Sequence, residues 1–504
     1  MIEPLEEEPV NKIKTNTKKI ISDINSNKKL IYISYVIVLI IIIFAFYLNS
    51  KTTNNLDLFK EDLKSYIEKL EKMKKEQNEK IDELNKKIRK LENKQSEGAN
   101  KISPPITYDS EKNEENYDIT KNEIICEYEI TEDELNSEIK LFDKKKLDKK
   151  YELDIDYKNY NPQNTYLFNK PGIHNIKIRI KTLITDISDL FSNILNLVRV
   201  DVTNLKSNKI TTMDRMFKGC SNLKEIKGLN NLKTTQLTSV ESMFFGCESL
   251  AKLDLSNFRT DNIKFMDRMF YGCKSLLKLD LSNFRTDETI SMMEMFSGCE
   301  RLTSLDISNF VTIKINSMKG LFSNCKSLTS LDLTNFITNN FNNFISIESM
   351  FSGCESLLSL DLSNINTEKV LSMDSAFLGC KSLTYLDLSN FKTRNVRTLD
   401  KMFSGCLNLI EIKGLNYFKT DSLVSMESMF ENCKSLNSLD LSNFNTKGVN
   451  NMNYLFKGCL NLKILNLNNF IINESCSTKG MFEGIKKENC NLIAKDEKIN
   501  NYLE

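Results

Sequence analysis

Two residue types are all but missing from the chain: it has one histidine, His174, and no tryptophan. A single histidine leaves little room for imidazole catalysis or for a His-based metal site. Charge of one sign is missing too, because 69 Lys and Arg nearly balance 68 Asp and Glu. That balance argues against a nucleic-acid partner, which calls for a basic excess. No CxxC pair occurs among the 13 cysteines, so the usual zinc-ligand spacing is absent. Residues 105–183 carry no Gly-rich phosphate loop, Ser/His/Asp set or paired carboxylates. The reading is therefore a protein without enzymatic activity, cofactor or metal.

What is present begins with an uncharged run, LIYISYVIVLIIIIFAFYL, over residues 30–48. As a helix it would span about 28 Å, close to a bilayer core. It is apolar all round rather than striped, and it lacks a small-residue cleavage site. A transmembrane signal-anchor is the reading. Lys18, Lys19, Lys28 and Lys29 precede it, against Lys51 and Lys60 after it. The positive-inside rule then puts residues 1–29 in the cytoplasm and the rest outside or in a lumen.

Leu56, Leu63, Leu70, Leu84 and Leu91 follow at sevenfold spacing with Gln77, and Ile67, Ile81 and Ile88 hold the companion position. Ile at a with Leu at d favours a parallel two-stranded coiled coil, so 49–95 predicts a parallel homodimer. Residues 96–122 are polar, contain Pro104 and Pro105 and read as a linker. Within 123–183, Cys126, Tyr128 and Ile130 alternate with Ile125, Glu127 and Glu129, and after Pro171-Gly172 a second alternation runs from Ile176 to Lys181. These are strands of a small β-rich domain, read as an N-terminal cap.

The strongest signal is a repeat. CESLAKLDLSNFRTDNIKFMDRMFYG from Cys247 returns as CKSLTYLDLSNFKTRNVRTLDKMFSG from Cys380. Twelve rungs align on Ile194, Cys220, Cys247, Cys273, Cys299, Cys325, Cys354, Cys380, Cys406, Cys433, Cys459 and Ile485, with steps of 26 or 27 and one of 29. The long step falls at TNNFNNFISI, where a loop should bulge. In each unit Leu253-Asp254-Leu255 alternates as a short strand that needs stacked neighbours to bury its leucines. The slot of Phe258 is always large and apolar. Met266, Met269 and Phe270 fall at i, i+3 and i+4, the spacing of a short helix. Gly or Asn always precedes the cysteine slot, as a left-handed residue ending that helix would. The expected fold is an α/β solenoid of about twelve 26-residue units over 184–485, with 486–504 as a C-terminal tail.

Isoleucine fills the cysteine slot at both ends of the ladder, so the cysteines read as buried packing residues. Zinc binding and rung-to-rung disulfides are the alternatives. Outward on the strand face stands a column of Asp254, Asp280, Asp306, Asp332, Asp361, Asp387 and Asp440, extended by Asp201 and Asn466. Stacked like charges repel, so something must offset them. Three readings stand side by side: each aspartate caps the turn after it, the column is a ligand face for a basic protein patch, or it holds divalent cations.

The pattern LxxLDLSNFxT…MxxMFxGC resembles the BspA-like leucine-rich-repeat surface proteins, which include mycoplasma repeat lipoproteins and protist homologues. It covers residues 184–485. The resemblance implies a curved solenoid, exposure on a cell surface and, in some members, adhesion to proteins or cells; it implies no enzyme. This chain has an uncleaved anchor and a stalk where bacterial members have a lipobox cysteine. The expected function is a membrane-anchored adhesive or receptor-like protein binding a protein ligand. An intracellular scaffold with a cytosolic solenoid is the alternative. The single glycosylation sequon, Asn473-Glu474-Ser475, fits either.

Overall fold

The computed structural model describes residues 122–147, 150–336 and 346–500. The apolar run 30–48, the heptads of 49–95, nearly all of the 96–122 linker and residues 338–345 of the long step lie outside the described residues. Among the described residues no helix is long and apolar enough to cross a membrane.

The N-terminal part builds six strands: β1 (Glu123–Ile130), β2 (Glu138–Lys140), β3 (Tyr151–Ile155), β4 (Lys158–Tyr160), β5 (Thr165–Leu167) and β6 (Gly172–Ile180). Two-residue alternation buries Ile124, Cys126, Tyr128 and Ile130 on one face of β1. The Tyr128 hydroxyl, inside that face, donates to the Leu141 carbonyl. Strand β1 pairs antiparallel with β6 on one side and with β7 (Leu197–Asp201) on the other. Strand β7 belongs to the first repeat and pairs in parallel with β8 (Glu225–Lys227). The sheet order β4-β3-β6-β1-β7-β8 thus runs from the β-rich part into the repeats without a break. An edge that would otherwise offer open N–H and C=O groups is closed by β1.

The repeats form a β-solenoid of about 11 turns. Parallel pairs stack at β9 (Lys278–Leu279) with β10 (Ser304–Leu305), and at β11 (Tyr385–Asp387) with β12 (Glu411–Lys413). Further on, β13 (Ser438–Asp440), β14 (Ile464–Asn466) and β15 (Asn491–Ile493) make a three-stranded sheet. Part of the segment read as a tail is therefore the last strand, and Ile499 of the short helix α1 (Glu497–Asn500) is fully buried behind it.

The expected helix in each unit is not there, so the array is a β-solenoid rather than an α/β one: the only α-helix among the described residues is α1. The reason lies in the backbone bonds. Met266, Arg268, Phe270 and Gly272 each donate an N–H to the next rung, to Ser291, Met293, Met295 and Ser297, at 2.7–3.2 Å. Met269, Tyr271 and Cys273 close three-residue turns onto Met266, Arg268 and Phe270 at 3.1–3.2 Å. Every second amide goes to the neighbour, and none reaches back four residues as a helix requires. Two turns need a positive φ, one at Arg268 (55°) and one at Gly272 (69°). The Gly-or-Asn slot is thus left-handed, but it closes a β-turn.

Stacking in register puts like residues over like. Phenylalanines from Phe191 to Phe482 form one continuous column, with ring centroids 5.6–5.9 Å apart and planes within 1–19°. That is offset stacking, the geometry aromatic faces prefer. Truncating a fully buried member such as Phe296→Ala should cost about 3–5 kcal/mol, and Phe482→Ala at the end of the column should cost less. Chemical denaturation of the two variants, read by far-ultraviolet circular dichroism, checks this order.

Candidate functional site

The cysteine ladder is the inner wall of every turn. Cys220, Cys247, Cys273, Cys299, Cys325, Cys354, Cys380, Cys406, Cys433 and Cys459 are all buried and free. Each Sγ–H donates to the carbonyl of the preceding rung's phenylalanine, from Phe191 under Cys220 to Phe430 under Cys459, at 2.9–3.2 Å. Packing explains why Ile194 can fill the same slot; the thiol adds one bond that isoleucine lacks. Burial pushes these thiols up, Cys299 and Cys406 to about 12. Neutral thiols are neither nucleophiles nor metal ligands.

The aspartate column lies on the outer face of the strands, with its members exposed except for half-buried Asp387. Each carboxylate accepts the N–H two residues ahead. The acceptor–donor pairs are Asp254–Ser256, Asp280–Ser282, Asp306–Ser308, Asp332–Thr334, Asp361–Ser363, Asp387–Ser389 and Asp440–Ser442, at 2.9–3.1 Å. These are Asx turns, so one oxygen of each carboxylate is occupied by its own chain. Ser282's backbone amide holds the Asp280 carboxyl below its usual range. Lys413, 2.8 Å from Asp387, lowers that carboxyl to about 2 with help from Ser389. Among the described residues no three His, Cys, Asp or Glu side chains converge as a metal-ligand set.

Charge is offset rung by rung elsewhere as well. In the position after the cysteine, Glu248, Lys274, Glu300, Lys326, Glu355 and Lys381 alternate in sign. They pair at 2.7, 3.0 and 2.8 Å. Exposed pairs of this kind contribute little stability each, but the alternation removes a like-charge column.

Two further ladders were not anticipated as structural devices. The threonine of SNFxT is buried and bonded twice. Thr260 Oγ1 donates to the Arg285 carbonyl and accepts the Arg285 N–H, both at 2.7 Å. Thr234, Thr286, Thr367, Thr393, Thr420 and Thr446 repeat this at 2.7–3.2 Å. The signal was its recurrence beside an exposed variable residue. A second carboxylate column sits on the turn side: Asp214, Asp267, Asp374 and Asp400 each accept a hydroxyl and an N–H from the next rung. Burial raises the Asp400 carboxyl, with Asp374 and Glu427 adding to it.

The profile of a mycoplasma protein family of unknown function, DUF285, matches residues 185–304, 267–359, 290–406 and 372–495. The chain belongs to this BspA-like leucine-rich-repeat family. Among solved structures, a leucine-rich repeat protein from Bacteroides ovatus is similar at 19% identity, over 61% of this chain and 80% of its own, with a TM-score of 0.34. A leucine-rich repeat protein from Eubacterium ventriosum is similar at 16% identity, over 58% and 78%, with a TM-score of 0.28. No curated protein matches the chain.

For this BspA-like array two outcomes follow. In the native protein a thiol reagent should modify about one of the 13 cysteines, half-buried Cys476, and the remainder only after denaturation. Mass spectrometry of the labelled chain reads this directly. Second, Asp400→Asn should stabilise, because Asn453 already accepts the same pair of donors, Ser477 Oγ at 2.7 Å and the Lys479 N–H at 2.8 Å. The Asp400 carboxyl is raised in the folded state, so charging it opposes folding at neutral pH and not below its unfolded value near 3.9. The gain should be about 0.5 kcal/mol at pH 7, because the group is only partly buried, and should vanish as the pH falls below 4. Melting curves of both proteins across that range test it.

Proposed function

We propose that this protein is a membrane-anchored, surface-exposed binding protein whose strand face holds a protein ligand. The observation that carries the reading is the composition of that face. Beside the aspartate column, Leu358, Tyr385 and Ile410 stand 60%, 44% and 51% exposed on three consecutive rungs. The rungs on either side carry Ser359 and Glu411 in the Tyr385 position. Apolar side chains grouped among charges are the composition of a protein-contact surface rather than of a solvated one. The repeat family and the closed, fully packed interior support binding on the outside of the solenoid.

Anchoring through 30–48, an outward solenoid and a parallel dimer through 49–95 belong to the same proposal. In it the stalk presents two solenoids side by side, and the paired faces raise the effective concentration of each for a shared ligand. A cytosolic membrane scaffold is the second reading, favoured by the free state of all 13 cysteines, which suits a reducing compartment.

Protease treatment of intact cells carrying a C-terminal epitope tag decides between them. Loss of the tag without lysis is the expected result, and protection until lysis overturns the surface reading. Leu358→Asp with Ile410→Asp should abolish cell or matrix attachment while the melting temperature stays within a few degrees. Unchanged attachment would remove the strand face from the proposal.

A further inference from the structure

Two rungs depart from the common unit by one residue. Both carry the sequence Glu-Ile-Lys-Gly-Leu-Asn, at Glu225–Asn230 and Glu411–Asn416. In each, glycine at positive φ (Gly228 at 82°, Gly414 at 95°) enters a short 3-10 turn. Glycine is required by space as well. A Cβ on Gly414 would stand 2.6 Å from the Leu388 carbonyl carbon and 2.7 Å from Ser389 Cα. The turn therefore presses on the rung below and pushes its last residue outward. In the earlier rung that residue is Asn231; in the later one it is Tyr417, 58% exposed.

Tyr417 forms one wall of an open cavity of about 530 Å³, along the edge where the strands turn. That is the size of a small-molecule site. Glu368, Asn390, Lys392, Arg394, Asn395 and Lys419 line it with Tyr417. Lys392 is paired with Glu368 at 3.1 Å. Among the described residues Arg394 and Lys419 have no carboxylate partner. The amide nitrogens of Asn390 and Asn395 are already committed to the carbonyls of Ser363 and Glu368 at 3.1 and 2.7 Å. Their side-chain oxygens are left to accept.

We propose that this cavity is a binding site for an acidic saccharide. Each part of the wall asks for one part of such a ligand. A guanidinium and an ammonium without partners call for an anion. Two amide oxygens call for donors, which an isolated carboxylate does not have and which the several hydroxyls of a sugar supply together. The exposed face of Tyr417 offers an apolar platform for the C–H face of a pyranose ring. The site is separate from the protein-binding strand face and does not depend on it.

Titration calorimetry on the full-length protein, with 3′-sialyllactose, a glucuronate disaccharide, lactose and inorganic phosphate as probes, tests the assignment. One or both of the acidic sugars should bind saturably, and lactose and phosphate should not. Arg394→Ala with Lys419→Ala, and separately Tyr417→Ala, should weaken binding at least tenfold (about 1.4 kcal/mol). The exposed positions leave folding intact, so retained binding in the Arg394/Lys419 variant would overturn the site. Equal binding of lactose or phosphate, or no binding of either acidic sugar, would overturn the ligand class.

Discussion

Backbone bonding between rungs, in register, is the constraint from which the rest of this structure follows. The turns of the chain donate to the turns beside them at the strand, at the single-residue bridge before the methionines and at alternate amides of the Met-Phe segment. A parallel stack in register allows a residue to meet only its own counterparts above and below. Every slot must therefore hold a residue that tolerates a copy of itself one rung away. Phenylalanine does so by offset stacking, threonine by donating and accepting through one hydroxyl, and cysteine by a weak thiol bond to a carbonyl. Charged residues do not tolerate copies, and they need a device. Alternating sign serves one column, the Asx turn another, and hydroxyl and amide donors a third.

The same constraint separates what could be read in the sequence from what could not. The period, the apolar slots and the left-handed Gly-or-Asn position were legible, because each is a demand repeated in every unit. The helix was misread because Met266, Met269 and Phe270 fall on one side both of a helical turn and of a succession of β-turns. Spacing inside one rung does not distinguish them; the choice is made by hydrogen bonds to the next rung, which a local pattern does not contain. The positive φ at Arg268 was invisible for a different reason. Asp189, Arg215, Ser242, Glu294, Lys401 and Tyr454 occupy the same position, so no residue preference marks it, and the strain is borne by rung-to-rung bonding.

For the candidate site, the outward aspartates were legible as a column, and the structure shows how each is held by its own turn. Their capacity to meet a ligand depends on the second oxygen and on the apolar neighbours. Those neighbours vary between rungs, and variation in an otherwise repeating sequence is where a surface can be specific. Leu358, Tyr385 and Ile410 stand out for that reason and not for any motif.

Irregularity has the same meaning at Gly228 and Gly414. One extra residue in a stacked array cannot be absorbed in the core, where every slot is filled, so it is expelled at the turn edge. The two expelled turns also place Lys227 and Lys413 in the aspartate column, with Lys413 bridging to Asp387. The run of like charge is thereby cut into a block from Asp254 to Asp387 with a lysine at each end. An insertion tolerated only at the surface and a charge column closed by cations are one solution to two problems. Asn231 and Tyr417 are exposed at the tips of these turns, and that freedom makes the edge of the solenoid, rather than its interior, the place where new contacts can be built.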